Sequence, residues 1–343
     1  MIGSAMVRKI DWENQLGHRL RLKDLHVFFN VVECGSMAGA AAHLGCSQPA
    51  ISEVISGLEH MLGVRLFDRS PRGVELTIYG RALLKGGRAA FDDLRQSIRE
   101  IEFLADPTAG EVSIGCPEST ATALFPAVTQ QFHSQYPNAV VHLHRTITPT
   151  LELPELRARK IDMALARIGR PLRSEDDDLN VEILIDDHMV VAAGAHSPWA
   201  SRRKIDLAEL ANETWILTER DSGNYNFVAD AFRARGLDMP KICLTTYSIH
   251  LRAKLLAQGP YISAFPHSVF WLEAGQFSLK ELPVKMPARS WSLGIVTVKN
   301  RTLSPIAHKF IEHLRAFTSS MAAGIKPNLN LLELKSAAAL SRK

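Results

Sequence analysis

Gly35-Ser36-Met37-Ala38-Gly39-Ala40-Ala41-Ala42-His43-Leu44-Gly45-Cys46-Ser47-Gln48-Pro49-Ala50-Ile51-Ser52 packs two helix stops and two helix starts into eighteen residues. Gly35 and Gly45 suit the left-handed position that closes a helix, and Ser36 and Ser47 suit the cap of the helix that follows. Pro49 falls in a first turn, where its missing N–H leaves no hydrogen bond unmade. Three short helices joined by such turns are the form of a DNA-reading helix-turn-helix.

The third helix is drawn by Ile51, Val54, Ile55, Leu58 and Leu62, which follow the i, i+3, i+4, i+7, i+11 spacing of one buried stripe. Gln48, Ser52, Glu53, Ser56 and His60 are left facing outward. A carboxamide such as Gln48 can bond two edge positions of adenine, and a hydroxyl such as Ser52 can reach base or phosphate. The plainer alternative is an ordinary solvated face. Beyond the helix, Pro71 and Gly73 separate Leu66-Phe67 from Val74-Leu76, as in a short two-stranded wing. Arg65, Arg69, Arg72, Arg81, Lys85 and Arg88 outnumber Asp68 and Glu75 there, an excess suited to phosphates, which position a module without choosing a sequence.

The 343 residues leave room for roughly two further domains' worth of chain on a prior of about 100–200 residues each. Hydrophobic content of 46% and charged content of 22% are ordinary for a globular protein, and the net charge of +4 matters less than its clustering near the wing. No apolar run approaches the ~20 residues of a membrane span and no signal pattern opens the chain, so no membrane partner and a cytoplasmic location are expected. Cys34, Cys46, Cys116 and Cys243 lie in no C-x-x-C pair and near no histidine at ligand spacing, so they read as buried thiols, with no metal site. Cys116, at the end of an expected strand, is the one of the four placed to face a cleft.

From Thr77 to about Ala105 no proline occurs, and Leu84, Gly87, Phe91, Leu94, Ile98, Ile101 and Ala105 recur at alternating gaps of three and four. That is heptad spacing, and it predicts a linker helix that pairs with its twin; packing on its own domain is the alternative. Asp106-Pro107-Thr108-Ala109-Gly110 then ends the helix.

Beyond Glu111, apolar runs at 112–116, 140–144, 162–168, 188–193, 215–218, 241–245, 261–265 and 291–298 read as strands. Residues 121–136, 151–160, 225–235 and 248–258 have helical spacing between them, which argues for α/β architecture. Ligands in such sheets sit outside the carboxyl ends of strands, often at helix N-termini.

Residues 22–81 resemble the winged helix-turn-helix of LysR-type transcriptional regulators. Carrying the resemblance are Leu22-Lys23-Asp24-Leu25 with Phe28, the Gly35-Ser36 corner, Ser47-Gln48-Pro49-Ala50-Ile51-Ser52, Leu58-Glu59, Leu62-Gly63, Leu66-Phe67-Asp68-Arg69 and Leu76-Thr77. Glu53, Ser56 and Gly57 depart from it, since that family often has basic or amide residues on this face. More loosely, Val112-Ser113-Ile114-Gly115, Leu124-Phe125-Pro126, Leu153-Pro154-Glu155-Leu156-Arg157, Ile161-Asp162-Met163-Ala164-Leu165 and Ile262-Ser263-Ala264-Phe265-Pro266 are similar to the family's effector domain.

The resemblance implies an N-terminal winged helix-turn-helix and long linker helix, followed by an α/β periplasmic-binding-protein-like effector domain with two subdomains and a cleft between them. It divides the chain into an extension at 1–19, the reader at 20–80, the linker at 81–106, a hinge at 107–111, the effector domain at 112–320 and a tail at 321–343. Subdomain I takes 112–187 and 291–320, and subdomain II takes 188–290. DNA contacts are expected from Ser36, Ser47, Gln48, Pro49, Ser52, Glu53 and Ser56, with Arg65, Arg69 and Arg72 at the wing. Strand ends nominate Ser119, Thr120, Thr146, Thr148, Arg167, Ser222 and Pro266 for the effector, an organic acid, aromatic acid or sugar derivative, with no cofactor. Glu118 sits awkwardly for an anion, so the effector's charge stays open. The expected partners are double-stranded DNA and the chain itself, as a homodimer and then a homotetramer, with RNA polymerase a further candidate.

Two other readings compete. A DNA-organising or constitutive regulator would need no ligand. An α/β enzyme fused to a DNA-targeting module would need Cys116 or Ser222 as nucleophile, yet no G-x-S-x-G elbow, phosphate loop or H-E-x-x-H run occurs.

Overall fold

The computed structural model describes residues 20–70, 73–146, 151–169, 171–220, 222–286 and 291–324. The chain separates into two compact units, Met1–Arg95 and Gln96–Lys343.

In the first unit, α1 (Leu22–Cys34), α2 (Met37–Leu44) and α3 (Gln48–Leu62) are each closed by a left-handed glycine, Gly35, Gly45 and Gly63. Ser36 Oγ accepts from Gly39 N at 3.0 Å and Ser47 Oγ from Ala50 N at 3.4 Å, which satisfies amides that a helix start leaves unpaired. Phe28, Val31, Ala40, Ile51, Ile55 and Leu58 close the core between them. The wing is an antiparallel pair, β1 (Phe67–Ser70) and β2 (Gly73–Leu76), in register from Phe67↔Leu76 to Ser70↔Gly73. It is tied down twice. Val74 N donates to Gly35 O at 3.0 Å, and the Glu59 carboxylate accepts from Leu66 N at 2.8 Å and Phe67 N at 3.3 Å. Gly73 must be glycine here, because at φ 127° a Cβ would lie 2.5 Å from the Gly35 carbonyl oxygen.

Thr77 caps the long helix α4 (Ile78–Ala105) through Gly80 N at 3.0 Å and donates to Arg65 O at 2.7 Å. The stripe expected to face a twin is split along this helix. Leu84 packs on the core of the first unit, a Cβ on Gly87 would touch the Phe29 ring at 3.0 Å, and Phe91 meets Phe29 edge-on at 5.2 Å. For these three residues the pairing expectation gives way to packing on their own domain, because α1 presents Leu25 and Phe29 to that face. Leu94, Ile98, Ile101 and Leu104 remain 46%, 57%, 66% and 74% exposed.

The second unit holds two five-stranded sheets. One is built from β3 (Ala109–Cys116), β4 (Asn138–Arg145), β5 (Met163–Ile168), β6 (Leu179–Ile185) and β12 (Ser292–Val298), in the order β4-β3-β5-β12-β6. The other is built from β7 (Met189–Gly194), β8 (Thr214–Leu217), β9 (Lys241–Thr245), β10 (Tyr261–Pro266) and β11 (Leu279–Glu281), in the order β11-β7-β10-β8-β9. The core β3, β4 and β5 run parallel, as do β8, β9 and β10, while β12 pairs antiparallel with β5 and β7 pairs antiparallel with β10. Helices α5 (Glu118–Gln135), α7 (Gly223–Ala234), α8 (Ile249–Gln258), α9 (His267–Phe277) and α10 (Pro305–Ala322) pack on the sheets, and α6 (Pro154–Arg157) is a single turn. The run at 151–160, expected to be helical throughout, is cut to that turn because Leu151 and Leu153 adopt positive φ.

The chain passes between the sheets twice, through Asp186-Asp187-His188 and again ahead of β12. Trp291 N donates to Asp187 O at 3.0 Å and Ser292 Oγ to Asp186 Oδ1 at 2.8 Å, so the two crossings are bonded to each other. The last turns of α4 are held within this unit by a buried ion cluster. Arg99 and Arg301 each reach Asp162 Oδ1 at 3.1 Å, and Ser113 N donates to Oδ2 at 2.9 Å. Among the described residues, no single helix is long and apolar enough to cross a membrane.

Candidate functional site

Helix α3 turns its polar residues outward once Ile51, Ile55 and Leu58 are buried. Gln48, Pro49, Glu53, Ser56 and His60 are exposed and Ser52 is half-buried, forming one polar face. Ser36 and Ser47 lie beside it with their hydroxyls engaged as helix caps. Arg65 and Arg69 are exposed at the wing, but Arg69 faces Glu59 at 3.6 Å, which offsets part of its charge. Arg88 similarly faces Glu33 at 3.8 Å, and Arg81 donates to Leu76 O at 2.8 Å. Arg72 lies outside the described residues.

Between the two sheets of the second unit is a cavity of about 110 Å³. Its wall comes from the carboxyl ends of strands in both sheets: Pro117, Glu118 and Ser119 after β3, Arg145 and Thr146 at β4, Arg167 on β5, then Thr218 after β8, Tyr247 after β9 and Pro266 ending β10. Met189, Ser222, Gly223, Asn224, Arg252 and Trp291 complete it. Parallel strands leave their carboxyl ends open, and the helices that follow point their N-termini into the same gap. Gly223 brings a helix start against Trp291, whose ring occupies the space a Cβ would need.

Of the residues proposed from sequence, Ser119, Thr146, Arg167, Ser222 and Pro266 line this cavity. Thr120 does not. It is fully buried one position further along α5, because successive helical residues face different ways. Thr148 lies outside the described residues. Arg167 is not the free anion partner that its position at a strand end suggested: it is ion-paired with Asp187 and donates to Ser268 Oγ at 3.1 Å. Asp187 is 2% exposed on its side chain; burial works to raise its pKa, but Arg167 and Ser268 outweigh that and hold it below the usual value. Ser222 Oγ also caps α7, accepting from Tyr225 N at 3.2 Å, and bonds Thr218 Oγ1.

Arg145, Tyr247, Arg252 and Trp291 escaped the sequence reading as cavity residues. For Arg252 a signal existed. Ile249, Arg252, Ala253 and Leu256 are the buried positions of α8 at i, i+3, i+4 and i+7, so an arginine stands in the apolar stripe.

The thiols differ from expectation. Cys34, Cys46 and Cys243 are exposed, the first two at helix ends and the third on the outward face of an edge strand. Cys116 alone is buried, where desolvation pushes its thiol up to about 12, and it lies outside the cavity wall. Asp187, His188 and His267 bring possible ligand atoms within 4.8 Å of one another. The Asp187 oxygens, however, already accept from Arg167, Ser268 and the His188 amide, which leaves two imidazoles.

Comparison with known proteins agrees with this architecture. Residues 22–81 match the bacterial regulatory helix-turn-helix protein, lysR family, and residues 105–319 match the LysR substrate binding domain. The transcriptional dual regulator GltC of Bacillus subtilis (strain 168) is 29% identical over 302 residues, covering 88% of this chain and 99% of GltC. The HTH-type transcriptional regulator TdcA of Escherichia coli (strain K12) is 26% identical over 308 residues, covering 87% and 94%. In fold, the chain resembles a full-length OxyR variant from Pseudomonas aeruginosa, with a TM-score of 0.58 at 20% identity over 88% of this chain and 95% of that one. It also resembles CbnR, a LysR family transcriptional regulator, with a TM-score of 0.54 at 22% identity over 87% and 99%. With both of its characteristic domains matched in order, the chain belongs to the LysR family of transcription regulators, DNA-binding proteins that carry an effector-binding domain.

Proposed function

We propose that this regulator binds an inverted repeat as a cytoplasmic homodimer, assembled further into a homotetramer, and is switched by a small molecule in the cavity between its two sheets. The observation that carries the reading is the cavity itself, walled from both sheets, with two crossing segments joining them. A ligand that touches both walls binds one arrangement of the sheets more tightly than another, and that difference in affinity is what shifts a population.

Pairing is assigned to Leu94, Ile98 and Ile101, joined by Leu104, since these are apolar residues of α4 left in water. Gln48 and Ser52 read base edges, Glu53 favours a cytosine amino group over a phosphate, and Arg65 and Arg69 hold the backbone. RNA polymerase contact would follow from promoter binding.

The test is a nuclease footprint on the sites found by genome-wide mapping of bound DNA. Wild type should protect two half-sites related by inverted symmetry, spaced by about one helical turn or a multiple of it. The Ile98→Lys, Ile101→Lys double variant should sediment as a smaller species and protect half-sites weakly and independently. A wild-type footprint on one lone half-site would sink the pairing. A footprint unchanged by any compound that stabilises the protein would favour a constitutive DNA-organising role.

A further inference from the structure

We infer that the ligand of this cleft is a small organic monocarboxylate whose carboxylate is held by Arg252. The inference rests on the cleft reading above and adds the ligand's chemical class and the residue that selects it.

Arg252 stands apart from the other buried arginines described in its unit. Arg301 answers Asp162 and Arg167 answers Asp187, each at ion-pair distance. Arg252 is 1% exposed and, among the described residues, has no carboxylate in ion-pair range. Its Nη1 donates to neutral oxygens, Ser263 Oγ at 3.3 Å and Ala264 O at 3.0 Å; its Nε, like that of Arg167, is buried with no partner among the described residues, so what sets Arg252 apart is the missing carboxylate. The Phe265 ring lies 4.6 Å from the guanidinium carbon, a cation–π contact that helps hold the charge. Burial draws the guanidinium down to about 10, which still leaves it charged at neutral pH. A buried cation with an open donor is costly to the folded chain, and buried charges are ordinarily paired. Arg252 also forms part of the cavity wall.

The surroundings of that cavity favour negative charge. Helices α5 and α7 begin at its wall with Glu118 and Gly223, so the positive ends of two helix dipoles face it. Arg145 adds a second guanidinium, stacked over Tyr247 at 5.2 Å. Glu118, the single acid in the wall among the described residues, limits the total. Its field supports Arg252 from beyond ion-pair range, so it opposes a second negative charge on the ligand and disfavours a phosphate or dicarboxylate. Met189, Pro266 and Trp291 offer apolar surface to the rest of the molecule.

The experiment is thermal shift and calorimetric titration of the full-length protein with sodium propionate, hexanoate and 3-phenylpropionate, each up to about 50 mM with chloride-matched ionic strength. The matching amides, succinate and inorganic phosphate are run in parallel. At least one monocarboxylate should raise the melting temperature and bind about 10- to 100-fold more tightly than its amide, as a charge-assisted hydrogen bond is worth. Arg252→Gln should lose that margin, while Arg252→Lys, which keeps the charge without the fork, should retain part of it. Melting curves of both variants without ligand establish that they fold; Arg145→Gln supplies a second, milder loss should Arg252→Gln not fold.

The inference is overturned if no monocarboxylate exceeds the chloride control, if succinate or phosphate binds best, or if carboxylate affinity survives in Arg252→Gln. Amides that bind wild type and Arg252→Gln alike, but not a cleft-filling Ser119→Trp variant, would leave the cleft standing and remove the anion. Binding indifferent to both Arg252→Gln and Ser119→Trp would remove the cleft as well.

Discussion

The proposed DNA-reading face and the proposed ligand cleft are built in opposite ways. On α3 the polar residues that would touch DNA are those left over after Ile51, Ile55 and Leu58 have made the core, so Gln48, Glu53 and Ser56 stand in water and Ser52 is half-buried beside them. In the cleft, polar groups are part of the interior: Arg252 is 1% exposed, Thr146 and Ser222 6%, and Arg167 is locked to Asp187. Recognition and stability are therefore separable at the first site and entangled at the second. An exposed polar residue exchanges one set of water hydrogen bonds for another, whereas a buried one must be satisfied by the fold or by a ligand.

The sharpest way to break this contrast is Asp187→Ala. It strands Arg167 as a buried, unpaired cation, and the expected loss is about 3–5 kcal/mol of unfolding free energy, measured by denaturant titration. Acid should act in the same direction. The Asp187 pKa is lower folded than unfolded, so the stability it contributes is complete well above the ordinary carboxylate value of 3.8 and is lost as pH falls from there through the depressed folded value. A variant as stable as wild type at pH 7 would show that the cleft's ion pair is not structural.

Gln48→Ala addresses the other side of the comparison. It should alter preference at one base position by about 1–3 kcal/mol while leaving unfolding free energy within about 0.5 kcal/mol, read by binding to a set of single-base operator variants alongside a melting curve. Equal loss on cognate and scrambled DNA would remove its role in base reading. The smallest effect is expected from Arg69→Gln, which should weaken binding to all sequences and reduce the salt slope by about 1 at most. Because Glu59 lies 3.6 Å from Arg69, part of that charge is already offset, and an unchanged slope would show that Glu59 keeps Arg69 from the phosphates.

Legibility in the sequence follows the same division. The three helices, their serine caps and their glycine stops rest on interactions spanning a few residues, as in Ser36 to Gly39, and the pattern alone locates them. The strands at 241–245 and 261–265 were visible for a similar reason, as apolar runs between breakers. The linker was half legible. Its heptad spacing marks a continuous apolar stripe, but spacing does not say which surface covers it, and Phe29, far upstream of Gly87 in the chain, claims the lower half. In the cleft, proximity to a strand end nominated Ser119 and Thr120 equally, and a helical step of one residue sent the second into the core.

The winged reader, the long helix and the α/β domain follow from local pattern, because periodicity, capping and turn chemistry act between near neighbours. Tertiary structure alone decided which charges are answered. Asp162 and Asp187 meet Arg301 and Arg167 across 139 and 20 residues of chain, and nothing in the local pattern separates those arginines from Arg252. That distinction depends on where long-range folding places a carboxylate: Arg167 and Arg252 share one cavity wall, yet among the described residues only Arg167 has a carboxylate at ion-pair distance.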